Sequence, residues 1–221
     1  MNIVVDFLKN FIYEIIFTIV LSSGVIALHI SKISRIINLK SVGITHIHKK
    51  GRDVKRLIHS IEKASKICII AFVPYSLVFD NRELFTKKIK DGCNIKILLC
   101  RYNSPVIKEV CQIENDTDYD IANKIEPLIN LLTRMKIDAG IESTGSIEVR
   151  TYNTEIRNPA IICYDKEENK SAFLTVSLPP KRSIDSVMIE YQNHECNDVI
   201  NYFNAIWDRH NNENDIILQE K

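Results

Sequence analysis

Glycine and proline are scarce, six of each in 221 residues, and tryptophan occurs once, as Trp207. So few breakers exclude a collagen-like or linker-dominated chain. A surplus of one charge is also missing. Lys and Arg total 29 against 28 Asp and Glu, so the net charge is +1 and no whole-chain basic excess points to nucleic acid. The six cysteines (Cys68, Cys93, Cys100, Cys111, Cys163 and Cys196) include no C-x-x-C pair, and no histidine lies at zinc-ligand spacing from any of them. No metal and no cofactor are therefore expected. Three disulfides are arithmetically open. A chain of this size does not need them, and Cys68, Cys100 and Cys163 fall in apolar segments where a thiol acts as a small buried hydrophobe, so a reducing compartment is expected.

What is present is a globular composition, 45% hydrophobic and 26% charged. The length suits one domain of about 100–200 residues with an appendage. The strongest local feature is the run Ile15 to Ser31, which holds no Asp, Glu, Lys or Arg and extends back through Phe11, with Glu14 as its one interruption. About 20 apolar residues cross a hydrocarbon core of roughly 30 Å. A buried core helix would show a polar stripe. A cleaved signal peptide would show a basic start and a small-residue cleavage site. The expectation is a transmembrane anchor over 1–37. Residues 32–56 carry eight Lys and Arg, among them Lys49, Lys50, Arg52 and Arg56, against the single acid Asp53. The basic side stays cytoplasmic, which puts the N-terminus outside and residues 38–210 in the cytosol beneath a single-pass cell-membrane anchor. The same stretch suits anionic headgroups. Glu14 is read either as a carboxylate reaching interfacial water or as part of an oligomer interface or pore.

Beyond a connection at Lys40–His48, Val54, Leu57, Ile58 and Ile61 mark an amphipathic helix. Ile67–Val73 reads as a strand covered on both faces. A helix at Asn81–Lys90, a left-handed Gly92 and a strand at Asn94–Cys100 follow, implying a parallel crossover. Glu114–Asp120 reads as a solvated loop or helix start. The next helix runs to Ala139, kinked or restarted at Pro127. Strands are expected at Ile147–Tyr152, Ala160–Tyr164, Ala172–Val176 and Ile184–Tyr191, with a hairpin at Asp165–Lys170. Asn197 or Asp198 should cap a last helix with Val199, Phe203, Ile206 and Trp207 inward. Residues 211–221 read as a polar, frayed tail.

This order resembles one half of the phospholipase D superfamily over roughly residues 50–209. The likeness rests on the helix leading into Ile67–Val73, on KKIKDGCNIKILLC, on SIEVRTYNTEIRNPAIICYDKEENKSAFLTVS, and on the closing YFNAIWDRH. It implies an α/β fold with a single phospholipase D-like mixed sheet flanked by helices, preceded here by the transmembrane helix. It also implies a homodimer, since the family pairs two halves.

The family's chemistry uses His-x-Lys-x-x-x-x-Asp: a histidine attacks phosphorus, a lysine neutralises phosphate oxygens and an aspartate orients an imidazole. Alignment on Asp165 places Asn158 at the histidine position and Ala160 at the lysine position. A carboxamide is not a useful nucleophile and a methyl carries no charge, so the resemblance implies the fold and argues against catalysis. His48-Lys49-Lys50 contains His-x-Lys but has Lys55 where the aspartate belongs, and it reads as membrane-proximal basic surface. His59 reads as a solvated helix position.

Ligands of open α/β sheets collect beyond the carboxyl ends of the strands. That region is expected to hold Tyr75, Arg101, Tyr102, Asn103 and Arg157, with Asn158 and Asp165 beside them. Arg101 and Arg157 can equally pair with surface acids. The expected function is a membrane-anchored, catalytically inactive phospholipase D-like binding or sensing module for a protein, a nucleotide or a lipid headgroup. Two other readings stay open: an oligomeric membrane-perturbing effector of the bacterial defence type, and a diverged phosphodiesterase or nuclease.

Overall fold

A computed structural model describes residues 39, 41–48, 54–101, 103–105, 107, 123–153, 158–176, 186–211 and 216–220. The chain divides into two compact units, Met1–Val42 and Gly43–Lys221. The expected anchor and Glu14 lie outside the described residues, as does Glu114–Asp120. No helix among the described residues is long and apolar enough to cross a membrane.

The second unit is an α/β domain with one mixed sheet flanked by helices. Its elements in chain order are β1 (Ile44–His48), α1 (Val54–Lys63), β2 (Ala64–Ala71), α2 (Tyr75–Asp80), α3 (Arg82–Lys90), β3 (Asn94–Cys100), α4 (Ile125–Ala139), β4 (Ser146–Tyr152), β5 (Ala160–Asp165), β6 (Lys170–Val176), β7 (Val187–Gln192), α5 (Asn197–Arg209) and β8 (Ile216–Glu220). Among the described residues the sheet has eight strands in the order β1-β7-β6-β5-β2-β3-β4-β8. The three central strands β2, β3 and β4 are parallel, and every other pairing is antiparallel.

The centre is what the apolar runs dictate. Ile67, Ile69, Ile95, Ile97 and Ile147 are buried on one face, and Cys68, Ile70, Leu98 and Cys100 on the other. Such runs need cover on both sides, because both faces carry apolar side chains to be kept from water. α5 supplies cover with Val199, Phe203 and Trp207 at i, i+4 and i+8. Ile206 is half-buried beside them. Between α3 and β3, Gly92 adopts φ +87, and its N–H bonds to Ile89 O at 3.1 Å. Gly145 enters β4 so close to α3 that a Cβ would stand 2.3 Å from Ile89 O and 2.7 Å from Cys93 O. Only a hydrogen fits there.

Several expectations are corrected. Residues 44–48 are not a connection but edge strand β1, paired with β7 from Ile44↔Tyr191 to His48↔Met188. The C-terminal segment is not a frayed tail, because Ile216–Glu220 forms β8 on the exposed side of β4. An additional short helix, α2, precedes the one expected at 81–90. Pro127 falls in the first turn of α4, where its missing N–H costs nothing, so it neither kinks nor splits the helix. α5 is entered through a 3-10 turn at Asn193–Cys196 rather than through a capping side chain; no side-chain cap bond forms at its start.

Candidate functional site

Because β2, β3 and β4 run parallel, their carboxyl ends share one rim of the sheet. Backbone bonds knit it: Cys100 N–H to Phe72 O (3.1 Å), Arg101 N–H to Tyr152 O (2.8 Å) and Ser104 N–H to Arg101 O (2.9 Å). The Tyr152 hydroxyl donates to Ala71 O at 3.2 Å. Burial raises its pKa well above the ordinary phenol value, so it stays a proton donor. Tyr75 opens α2 at this rim and stacks on Phe79, ring centroids 5.4 Å apart. Arg101 is half-buried and Asn103 exposed. Of the expected ligand residues the fold thus gathers Tyr75, Arg101 and Asn103, while Tyr102 and Arg157 lie outside the described residues.

β5 runs antiparallel to β2, so its first residue meets the end of β2. Ala160 pairs with Ile70 and with Leu174 of β6, and is 2% exposed. Asn158, two residues earlier, is half-buried on the same rim. Its backbone bonds to the Tyr202 hydroxyl, lowering a pKa that burial raises further. Pro159 O accepts from Thr175 N–H at 2.8 Å.

Asp165 is not at this rim, and the expectation that put it there is corrected. It ends β5 opposite Ala64, the first residue of β2. Five strand steps of about 3.3 Å carry it roughly 16 Å from Ala160. There its carboxylate closes the β5–β6 hairpin. Oδ1 accepts from the N–H groups of Glu167 (2.8 Å) and Asn169 (2.9 Å), and Oδ2 accepts from Asn169 Nδ2 (2.9 Å). The Asn169 side-chain bond is the main cause holding its pKa below the ordinary value. The three positions aligned with the family motif therefore divide between opposite ends of one strand.

His48 is corrected as well. It is no basic surface residue: its side chain is 0% exposed, and Nε2 lies 3.2 Å from Glu190 Oε2. Glu190, 2% exposed, also receives Arg56 Nε at 2.7 Å, Arg56 Nη2 at 2.9 Å and Gln192 Nε2 at 3.2 Å. Sequence reading missed this cluster. The one available signal was a lone acid in the inward register of VMIEYQ, two residues after buried Met188; such an acid needs a partner. His59 is solvated as expected, 62% exposed and 3.5 Å from Glu62.

The described cysteines are all free. Burial pushes Cys68 and Cys93 up to about 11 and Cys196 to about 12, and raises Cys163 further. Thiols so poised are inert rather than nucleophilic. Among the described residues no group of three or more His, Cys, Asp or Glu could hold a metal ion.

No protein-family model matches the chain, and no curated protein matches it in sequence. Solved structures do. TrmBL2, an archaeal chromatin protein described as showing a novel mode of DNA binding, aligns over 86% of this chain at 13% identity with a TM-score of 0.44. This chain spans 64% of the length of that one. Nuc from Salmonella typhimurium, a phospholipase D family member, aligns over 73% of this chain and 91% of its own at 12% identity, with a TM-score of 0.40.

Proposed function

We propose that this chain is a membrane-anchored, catalytically inactive phospholipase D-like module that binds a ligand at the carboxyl rim of its parallel strands. The anchor reading is supported by the uncharged run Ile15–Ser31 and the basic residues after it. The family reading is supported by the segments quoted above. The inactive reading is carried by one observation: position 160, aligned with the motif lysine, is an alanine buried between Ile70 and Leu174. A buried methyl cannot neutralise a phosphate oxygen, and Asn158 offers no imidazole to attack phosphorus. Tyr75, Arg101 and Asn103 on the same rim suit recognition of a polar ligand rather than its cleavage. A second copy of the chain is the proposed partner.

The test is hydrolysis by the full chain in detergent, using bis(p-nitrophenyl) phosphate, phosphatidylcholine vesicles and DNA. Rates equal to the protein-free blank are expected. Turnover that disappears in Asn158→Ala would overturn the proposal. Removal of residues 1–37 should release the protein from alkaline-washed membranes, and retention after that deletion would remove the anchor from it.

A further inference from the structure

The end of the sheet opposite the rim gathers three lysines on one face. Strand register sets Lys170 of β6, Tyr164 of β5 and Lys66 of β2 in one line across the sheet. One pleat further along, Cys68 of β2 is paired with Lys96 of β3. All five share a face, because two-residue steps along a strand keep the same side. It is the face that α5 covers, since Trp207 lies under Lys96.

Two of these lysines are propped on aromatic rings. Lys66 Nζ stands 4.8 Å from the centroid of Tyr164, and Lys96 Nζ 4.7 Å from that of Trp207. Both ammonium groups act on the Cys68 thiol between them, and Lys170 acts on Cys196, in each case lowering a pKa that burial raises more. Among the described residues none of the three has a carboxylate within ion-pair distance. Glu148, directly across from Lys96, is committed to Arg150, whose Nε and Nη2 both bond to its Oε1 at 2.8 and 2.6 Å.

Like charges on neighbouring strands repel, and diagonal neighbours stand only about 7–8 Å apart. The stems of Lys66 and Lys96 can therefore converge on one anion, with Lys170 about two strand spacings, roughly 10 Å, from Lys66. The rings restrict the stems, so less freedom is lost when an anion binds. Trp207 is only 3% exposed and offers no face to a nucleobase, and Lys66 lies over the ring of Tyr164. Charge, not a base, is what this site can read.

We propose that Lys66, Lys96 and Lys170 form a binding site for a compact phosphate anion, either free in solution or borne on a lipid headgroup. The site is separate from the rim and does not depend on the function proposed for it.

The test titrates the full chain in detergent with inorganic pyrophosphate by calorimetry, and assays it against phosphatidylcholine vesicles with and without phosphatidic acid. The Lys66→Ala/Lys96→Ala double variant should lose at least tenfold in affinity for whichever probe binds, while Lys66→Arg stays within about threefold. Pyrophosphate binding identifies a soluble source, and binding of phosphatidic acid vesicles alone identifies a lipid one. Lys87→Ala, at an exposed position of α3 outside both sites, should bind like the wild type. No binding of either probe, or equal binding by the double variant with an unchanged melting temperature, overturns the proposal. A melting temperature of the wild type that pyrophosphate or phosphatidic acid leaves unmoved counts the same way, and needs no variant to fold.

Discussion

The imidazole of His48 lies 3.2 Å from the carboxylate of Glu190, with both side chains essentially withdrawn from solvent. The pair joins the two outermost strands on one side of the sheet, β1 and β7, across 142 residues of sequence. Arg56 of α1 closes it from the helix side with a two-pronged contact to the same carboxylate. An acid so enclosed persists in a strand because charge-assisted hydrogen bonds replace the water it gave up. The consequence is mechanical: β1, the first strand after the N-terminal unit, is fastened to the sheet by side chains as well as by its backbone ladder.

Acid should loosen this fastening. Burial pushes the Glu190 carboxyl up, but the Arg56 bonds and charge, with His48 and Gln192, outweigh it and hold the pKa below its ordinary 4.5. A folded pKa below the unfolded one adds stability that is fully present above the unfolded value and lost as pH falls through the folded value. Melting curves between pH 7 and pH 3 should therefore drop more steeply for the wild type than for Glu190→Gln. At neutral pH, Arg56→Ala strands a buried carboxylate and should cost about 2–3 kcal/mol, at or below the low end for broken buried pairs because Arg56 is itself half-exposed. Parallel curves for wild type and Glu190→Gln would show that the carboxylate carries no such linkage.

Position 160 resists a lysine. Ala160 is 2% exposed and hemmed by strands on both sides. A lysine there must either bury an ammonium or force β5 outward, and either outcome should cost about 3 kcal/mol or more. Asn158→His, at a half-buried position, should be tolerated within about 1 kcal/mol. Thermal melts of the two single variants separate these outcomes, and a stable Ala160→Lys protein would show that the rim has room for an ammonium there.

The parts of the fold that were legible are those that local chemistry settles. Ile67–Ile70 and Ile97–Cys100 are continuous apolar runs, and such runs form central strands whatever surrounds them. Gly92 and the Asp165–Lys170 turn are equally local. The edges were not legible. ITHIH alternates poorly, with Thr45, His46 and Ile47 all exposed, and becomes a strand only because β7 is there to pair with it. Asp165 was misplaced for a related reason. A motif alignment fixes spacing along the chain, whereas the antiparallel course of β5 decides which end of the sheet each residue reaches. The half of the rim that could be read, Tyr75, Arg101 and Asn103, follows strands whose parallel direction the helical crossover implied.

The far edge gives the last prediction. β8 pairs with β4 from Ile147↔Glu220 to Arg150↔Ile216, and half-buried Leu218 packs against the core. Deleting residues 211–221 turns β4 into an edge strand and bares a row of backbone groups beside the buried Ile147 and Val149. Losing several ladder bonds at about 0.5–1.5 kcal/mol each, together with the Leu218 contact, should lower stability by about 2–4 kcal/mol. The truncated protein should also scatter light in a concentration-dependent way, since an uncovered flat edge pairs with its own copies. Leu218→Pro, which keeps the length but cannot continue the ladder normally, should fall between truncated and intact proteins. If truncation leaves the melting temperature where it was, the segment 216–220 is not holding β4, and the sheet ends one strand earlier in solution.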